Sequence, residues 1–76
     1  MIGPFEVQWW PAAIEDWKRL PFEDAEAVAR DVRQFAETGA GVVIYAEDEY
    51  RLFVGRLVVV LLIDGDTLHV DRIRNA

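Results

Sequence analysis

Cysteine is absent from these 76 residues, which excludes disulfides and thiolate metal centres. Histidine occurs once, at His69, so a histidine-built metal site is excluded too, and no metal or organic cofactor is expected. Long apolar runs are also missing. The longest, Leu57 to Ile63, is seven residues, far short of the ~20 that span a bilayer as a helix. The opening MIGPFEVQWW has neither the basic start nor the apolar segment of a leader peptide. A cytoplasmic protein without membrane contact is the expectation.

Positive charge is scarce. Eight Lys and Arg stand against 14 Asp and Glu, for a net charge of −6. Residues 1–50 carry 11 acids and 4 bases, net −7, whereas residues 51–76 carry 3 acids and 4 bases, net +1. Affinity for nucleic acid comes mainly from Lys and Arg neutralising phosphates, so the field of the whole molecule works against it. A local basic site in the C-terminal third is the remaining route to RNA.

What the chain has is apolar residues, 53% of the total, enough for the core of one small domain over residues 1–76. A chain of this length buries only ~60% of the surface its unfolded form exposes, so packing or self-association must be efficient. Phe5 to Trp9 alternates apolar and polar, the pattern of a half-buried strand. Pro11 opens a short helix to Leu20, with Ile14, Trp17 and Leu20 on its apolar side. A second helix is predicted over Phe22 to Thr38, with Phe22, Ala25, Val28, Val32, Phe35 and Ala36 on one stripe and Gly39 as its C-cap. Strands follow at Val42–Ala46, Tyr50–Val54, Leu57–Ile63 and Thr67–Ile73, with Glu47-Asp48-Glu49, Gly55-Arg56 and Asp64-Gly65 as turns. The order β-α-α-β-β-β-β predicts an α+β fold. An αα-hairpin packs on one face of a mostly antiparallel sheet of four or five strands.

With Asp64-Gly65 as the hairpin loop, Leu61 opposes Leu68 and Val59 opposes Val70. These residues then lie under the helices with Leu57, Tyr50, Leu52 and Val54. The second face receives Arg51, Phe53, Val58, Val60, Leu62, Thr67, His69 and Asp71. A one-sided sheet is usually polar on that face, so Phe53, Val58, Val60 and Leu62 read either as a partner surface, or as a face covered by a chain terminus or loop, or as the plain far side of a central strand of β-favouring residues. Trp10 points opposite to Trp9 and joins the partner-surface candidates. His69 and Asp71, two apart on one strand, form a minimal acid–base pair with Arg51, and Arg72 and Arg74 are candidate phosphate contacts. Each of these five also has a plain reading as a solvated, packed or ion-paired side chain.

Taken in order, FEVQWWPAAIEDWKRLP and YRLFVGRLVVVLLIDGDTLHVDRIRNA resemble the RelE/ParE toxin superfamily of type II toxin–antitoxin systems, over nearly the whole chain. The resemblance lies in the opening strand, a first helix ending near a proline, a Tyr-Arg-Leu strand, a Val-Gly turn and a closing acidic hairpin. It implies the same helical hairpin on an antiparallel sheet, and an antitoxin peptide or protein as partner. In the ribonuclease branch the sheet face is basic and cuts ribosome-bound mRNA; the ParE branch acts on DNA gyrase. Carried over by position, one basic site of the nucleases falls on Arg51. The others fall on Phe53, Val58, Asn75 and Ala76, and the following segment that often bears a catalytic tyrosine has no counterpart in these residues. Losing a phosphate-contacting cation removes ~3 kcal/mol or more from transition-state stabilisation. The expectation is therefore a toxin-like protein that binds an antitoxin, itself or a target such as gyrase, without ribonuclease activity. The alternative is an active mRNA endonuclease with a rearranged site built from Arg51, His69, Arg72 and Arg74.

Overall fold

The structure, a computed structural model, describes residues 4–76. Its elements are β1 (Glu6–Trp9), α1 (Pro11–Lys18), α2 (Phe22–Thr38), β2 (Val42–Ala46), β3 (Glu49–Val54), β4 (Leu57–Asp64) and β5 (Thr67–Asn75). The five strands form one sheet in the order β1-β5-β4-β3-β2. Only the β1–β5 pairing is parallel; β2 through β5 form an antiparallel meander. Both helices lie on the same face of the sheet, as expected.

Pro11 sits at the start of α1, and Trp10, with extended backbone, occupies the cap position. The helix is short, ending at Lys18, because Pro21 follows closely and the residue before a proline resists the helical conformation. Its inward residue is Ala13, fully buried, while Ile14 is 37% exposed. A small side chain there lets α1 settle close to β5. The predicted Ile14 stripe is thus rotated by about one residue.

Helix α2 opens with Glu23 and Asp24 in its first turn, where carboxylates suit the positive end of the helix dipole. Gly39 ends it in the left-handed conformation at φ 79°, its N–H bonded to the Phe35 carbonyl. Val28, Val32, Phe35 and Ala36 are buried as the stripe requires, but Phe22, at the free end, is 78% exposed.

The core lies between these helices and one side of the sheet. Leu52, Val54, Leu57, Val59, Leu61, Leu68, Val70 and Ile73 meet Ala13 and the α2 stripe there. Asp16 ties the layers together: its Oδ2 accepts the Ile73 backbone N–H at 3.0 Å, in a partly buried position. Asp16→Ala would leave that N–H without a partner. It should lower stability by about 1–3 kcal/mol, measurable by urea denaturation. A loss below ~0.5 kcal/mol would show that water replaces the carboxylate at no cost.

The last hairpin differs from the expected register. Its loop is Gly65-Asp66 rather than Asp64-Gly65, so Asp64 pairs with Thr67 and Leu61 with Val70. Gly65 alone is left-handed, at φ 63°, the pattern of a type II′ turn with glycine first. Moving the loop by one residue shifts the pairing by two, and an even shift leaves every side chain on its face. The face assignment of β4 therefore stands although the predicted pairs do not. Strand β3 also begins earlier than expected, at Glu49, because the β2–β3 turn is only Glu47-Asp48.

Candidate functional site

The face of the sheet opposite the helices can be read in rows from the pairings. Val42, Phe53, Val58 and Arg74 form one row. Ile44, Arg51, Val60 and Arg72 form the next. His69 lies further along, opposite Leu62 and beside Gln8 of β1. No other element among the described residues covers this face.

A bulge decides its chemistry. Leu61 pairs with Val70 but Val60 pairs with Arg72, so Asp71 is an extra residue in β5 without a β4 partner. A bulge of this kind exchanges the two faces of the strand beyond it. Leu68 and Val70 face the core before it, and Ile73 does so after it. Arg72 and Arg74, which simple alternation from Val70 would drive into the core, come to the open face instead. The regular strand expected beneath His69 and Asp71 is interrupted there, because the bulge takes Asp71 out of the ladder.

Arg51, in the middle of this face, is held by carboxylates. Arg51 Nη2 donates to Glu47 Oε1 at 2.7 Å and to Glu49 Oε1 at 3.1 Å, and its Nε donates to the same Glu49 oxygen at 3.2 Å. Hydrogen bonds to Glu47 first, then Glu49, push the guanidinium above its ordinary range. Arg74 Nη2 approaches Glu49 Oε1 at 3.8 Å, so Glu49 bridges two arginines. The Glu47-Asp48 turn has both residues left-handed, at φ 54° and 63°. That geometry suits Asn-Gly and is unfavourable for Glu, yet it is what brings Glu47 to Arg51. These two acids were missed at the sequence level. The Glu49–Arg51 spacing of two on a strand was a usable signal; the Glu47 contact depends on the turn.

The apolar candidates behave unequally. Val60 is fully buried and Val58 is 8% exposed, although neither belongs to the main core. Flanking side chains in their rows cover them, so the expectation of an exposed patch at these two valines is corrected: they form a floor. Phe53 and Leu62 are half-buried. Val42 and Ile44 on edge strand β2 supply the exposed apolar surface, at 70% and 49%. A cleft of about 370 Å³ lies over this floor, lined by Ile44, Arg51, Phe53, Val58, Arg74, Asn75 and Ala76. Trp10 is 39% exposed. Its Nε1–H donates to His69 Nδ1 at 3.0 Å, with ring centroids 5.7 Å apart. In that arrangement Nδ1 carries no proton and His69 is oriented by an indole rather than by a carboxylate. The structure thus brings Arg51, Arg74 and Arg72 to neighbouring rows and leaves His69 engaged elsewhere.

A second cleft, about 380 Å³, opens on the helical side between Trp9, Ile14, Trp17 and Ala29. Trp17 Nε1 is bonded to the Ala25 carbonyl at 2.8 Å, and Trp9 meets Trp17 edge-on at 6.1 Å. No group of His, Asp and Glu suited to a metal ion occurs among the described residues, and no helix there is long and apolar enough to cross a membrane.

Two helices on one face of a mixed five-stranded sheet make a RelE/ParE-like α+β fold, and solved structures share it. A chain of the toxin–antitoxin complex RelBE2 from Mycobacterium tuberculosis superposes with a TM-score of 0.75 at 20% identity, over 97% of this chain and 100% of that one. A chain of the archaeal RelE–RelB complex from Pyrococcus horikoshii gives 0.78 at 10% identity, over 96% of each chain. A chain of the chromosomal ParDE system of P. aeruginosa gives 0.72 at 13% identity, over 95% of this chain and 96% of that one. No family model matches the sequence, and no curated protein matches it.

Proposed function

We propose that this chain is the toxin-fold component of a toxin–antitoxin pair and works in the cytoplasm by binding protein rather than by cutting RNA. Its open sheet face takes a segment of the antitoxin, with Phe53, Leu62 and Trp10 as contacts over the Val58–Val60 floor. The observation that carries this reading is the state of Arg51. At the positions where the nuclease branch places cations, Phe53 and Val58 are apolar, and Arg51 is engaged by Glu47 and Glu49. A phosphate would have to displace two carboxylates to reach it. The fold likeness to chains of toxin–antitoxin complexes supports the partner class.

The test first asks whether a small antitoxin-like reading frame lies beside this one and takes its product as the partner; finding none would count against the reading. Calorimetric titration should show a one-to-one complex, weakened about tenfold or more by Phe53→Asp. Programmed ribosomes should leave mRNA intact in the presence of the chain. Translation-dependent cleavage that disappears in Arg51→Ala and Arg74→Ala would replace this reading with the endonuclease.

A further inference from the structure

Strand β2 ends the sheet, and three devices that normally blunt such an edge are missing from it. Val42–Ala46 contains no charge, no proline and no bulge, whereas exposed edges are usually protected by at least one of these. Both of its faces carry exposed apolar side chains: Val42 at 70% and Ile44 at 49% on the open face, Tyr45 at 59% on the helical face. Unpaired backbone groups and apolar side chains thus coincide on five residues.

We propose that β2 pairs antiparallel with β2 of a second copy, about a two-fold axis through Ile44, to give a continuous ten-stranded sheet. The second copy is favoured because the strand complements itself in this one register. Ile44 meets Ile44, Val42 meets Ala46, and Tyr45 meets Val43, so each exposed apolar side chain gains an apolar partner at once. The acidic turn falls clear of like charge, with Glu47 beside Gly41 and Asp48 beside Ala40. Sliding by two residues one way sets Glu47 against Val43 and Asp48 against Val42. Sliding the other way leaves Tyr45 against Gly41, which has no side chain. The cost is repulsion between two chains of net charge −6, which salt screens. This pairing does not depend on the toxin reading.

The absence of cysteine makes the test direct. The two-fold register places the Cβ atoms of the two Ile44 residues about 4.5–5.5 Å apart, within reach of a disulfide after small adjustment. The Ile44→Cys variant should form covalent dimers under mild oxidation at least tenfold faster than Phe22→Cys, although position 22 is the more exposed of the two. Sedimentation of the parent chain from 1 to 500 µM should show a monomer–dimer equilibrium that strengthens on going from 50 mM to 500 mM salt. Val42→Lys should shift it toward monomer by tenfold or more while leaving the circular dichroism unchanged. A parent chain that stays monomeric throughout, or equal cross-linking at positions 22 and 44, would overturn the proposal. If Val42→Lys fails to fold, the cross-linking comparison alone decides.

Discussion

Deletion of Asp71 should abolish folding, whereas Asp71→Ala should cost less than about 1 kcal/mol. The difference follows from the bulge. Removing one residue from β5 restores simple alternation beyond Val70, and the four strand residues that follow, Arg72 to Asn75, change faces. Ile73, 7% exposed and part of the core, would turn outward, losing about 1.5–3 kcal/mol of burial. Arg72 and Arg74 would turn toward Ala13 and the α2 stripe, and each unpaired buried guanidinium costs several kcal/mol. The Asp16–Ile73 bond would go as well. A domain of this length is stable by only about 4–11 kcal/mol, so these losses together exceed what it has. The chain would have to give up β5 pairing beyond Val70 or unfold. Circular dichroism and amide chemical-shift dispersion measure the outcome. A deletion variant that is folded and melts within a few degrees of the parent would show that the bulge is not what positions Arg72 and Arg74.

The same bulge marks the boundary of what could be read from sequence. Periodicity was enough for the element order, the two helices and the face assignment of β3 and β4, because alternation and helical spacing are local properties. Leu52, Val54, Val59 and Leu61 lie in the core as their spacing required. The Asp-Gly pair located the last hairpin but not its loop residues, since a one-residue change of loop costs little and leaves parity untouched. Asp71 gave no local sign of being extra. Only the need to bury Ile73 while keeping two arginines out of the core discloses it, and that need exists only once the helices are in place. The fate of Val58 and Val60 was hidden for a related reason. Burial on the open face comes from long side chains on neighbouring strands, and those neighbours are fixed by pairing rather than by sequence distance. Phe22 erred in the opposite sense: it has the right helical phase but sits at a free end with nothing to pack against.

Replacing Glu47 and Glu49 together by glutamine should turn the open face into an RNA-binding surface. In the parent, Arg51 contacts both carboxylates and Arg74 contacts that of Glu49, at 2.7 to 3.8 Å. Arg51, Arg72 and Arg74 against Glu47 and Glu49 leave this face close to electrical balance. The double substitution removes both acids and keeps the side-chain size, so three guanidinium groups face solvent around the apolar floor. Each additional phosphate neutralised on a single strand adds ~0.7 to the slope of log affinity against log salt. Freeing one or two arginines should therefore steepen that slope by about 0.7–1.4. At 50 mM salt, affinity for a short single-stranded RNA should rise on the order of 10- to 100-fold, read by fluorescence anisotropy. Arg51→Ala in the same background should return it toward the parent value. Cleavage should still not appear, because cations alone supply neither the base nor the acid that phosphodiester transfer needs, and His69 is engaged by Trp10. An affinity that does not change would mean that Glu47 and Glu49 are not what keeps this face from phosphate. The barrier would then lie in the acidic field of the whole chain, and weakening a single turn would not be enough to overcome it.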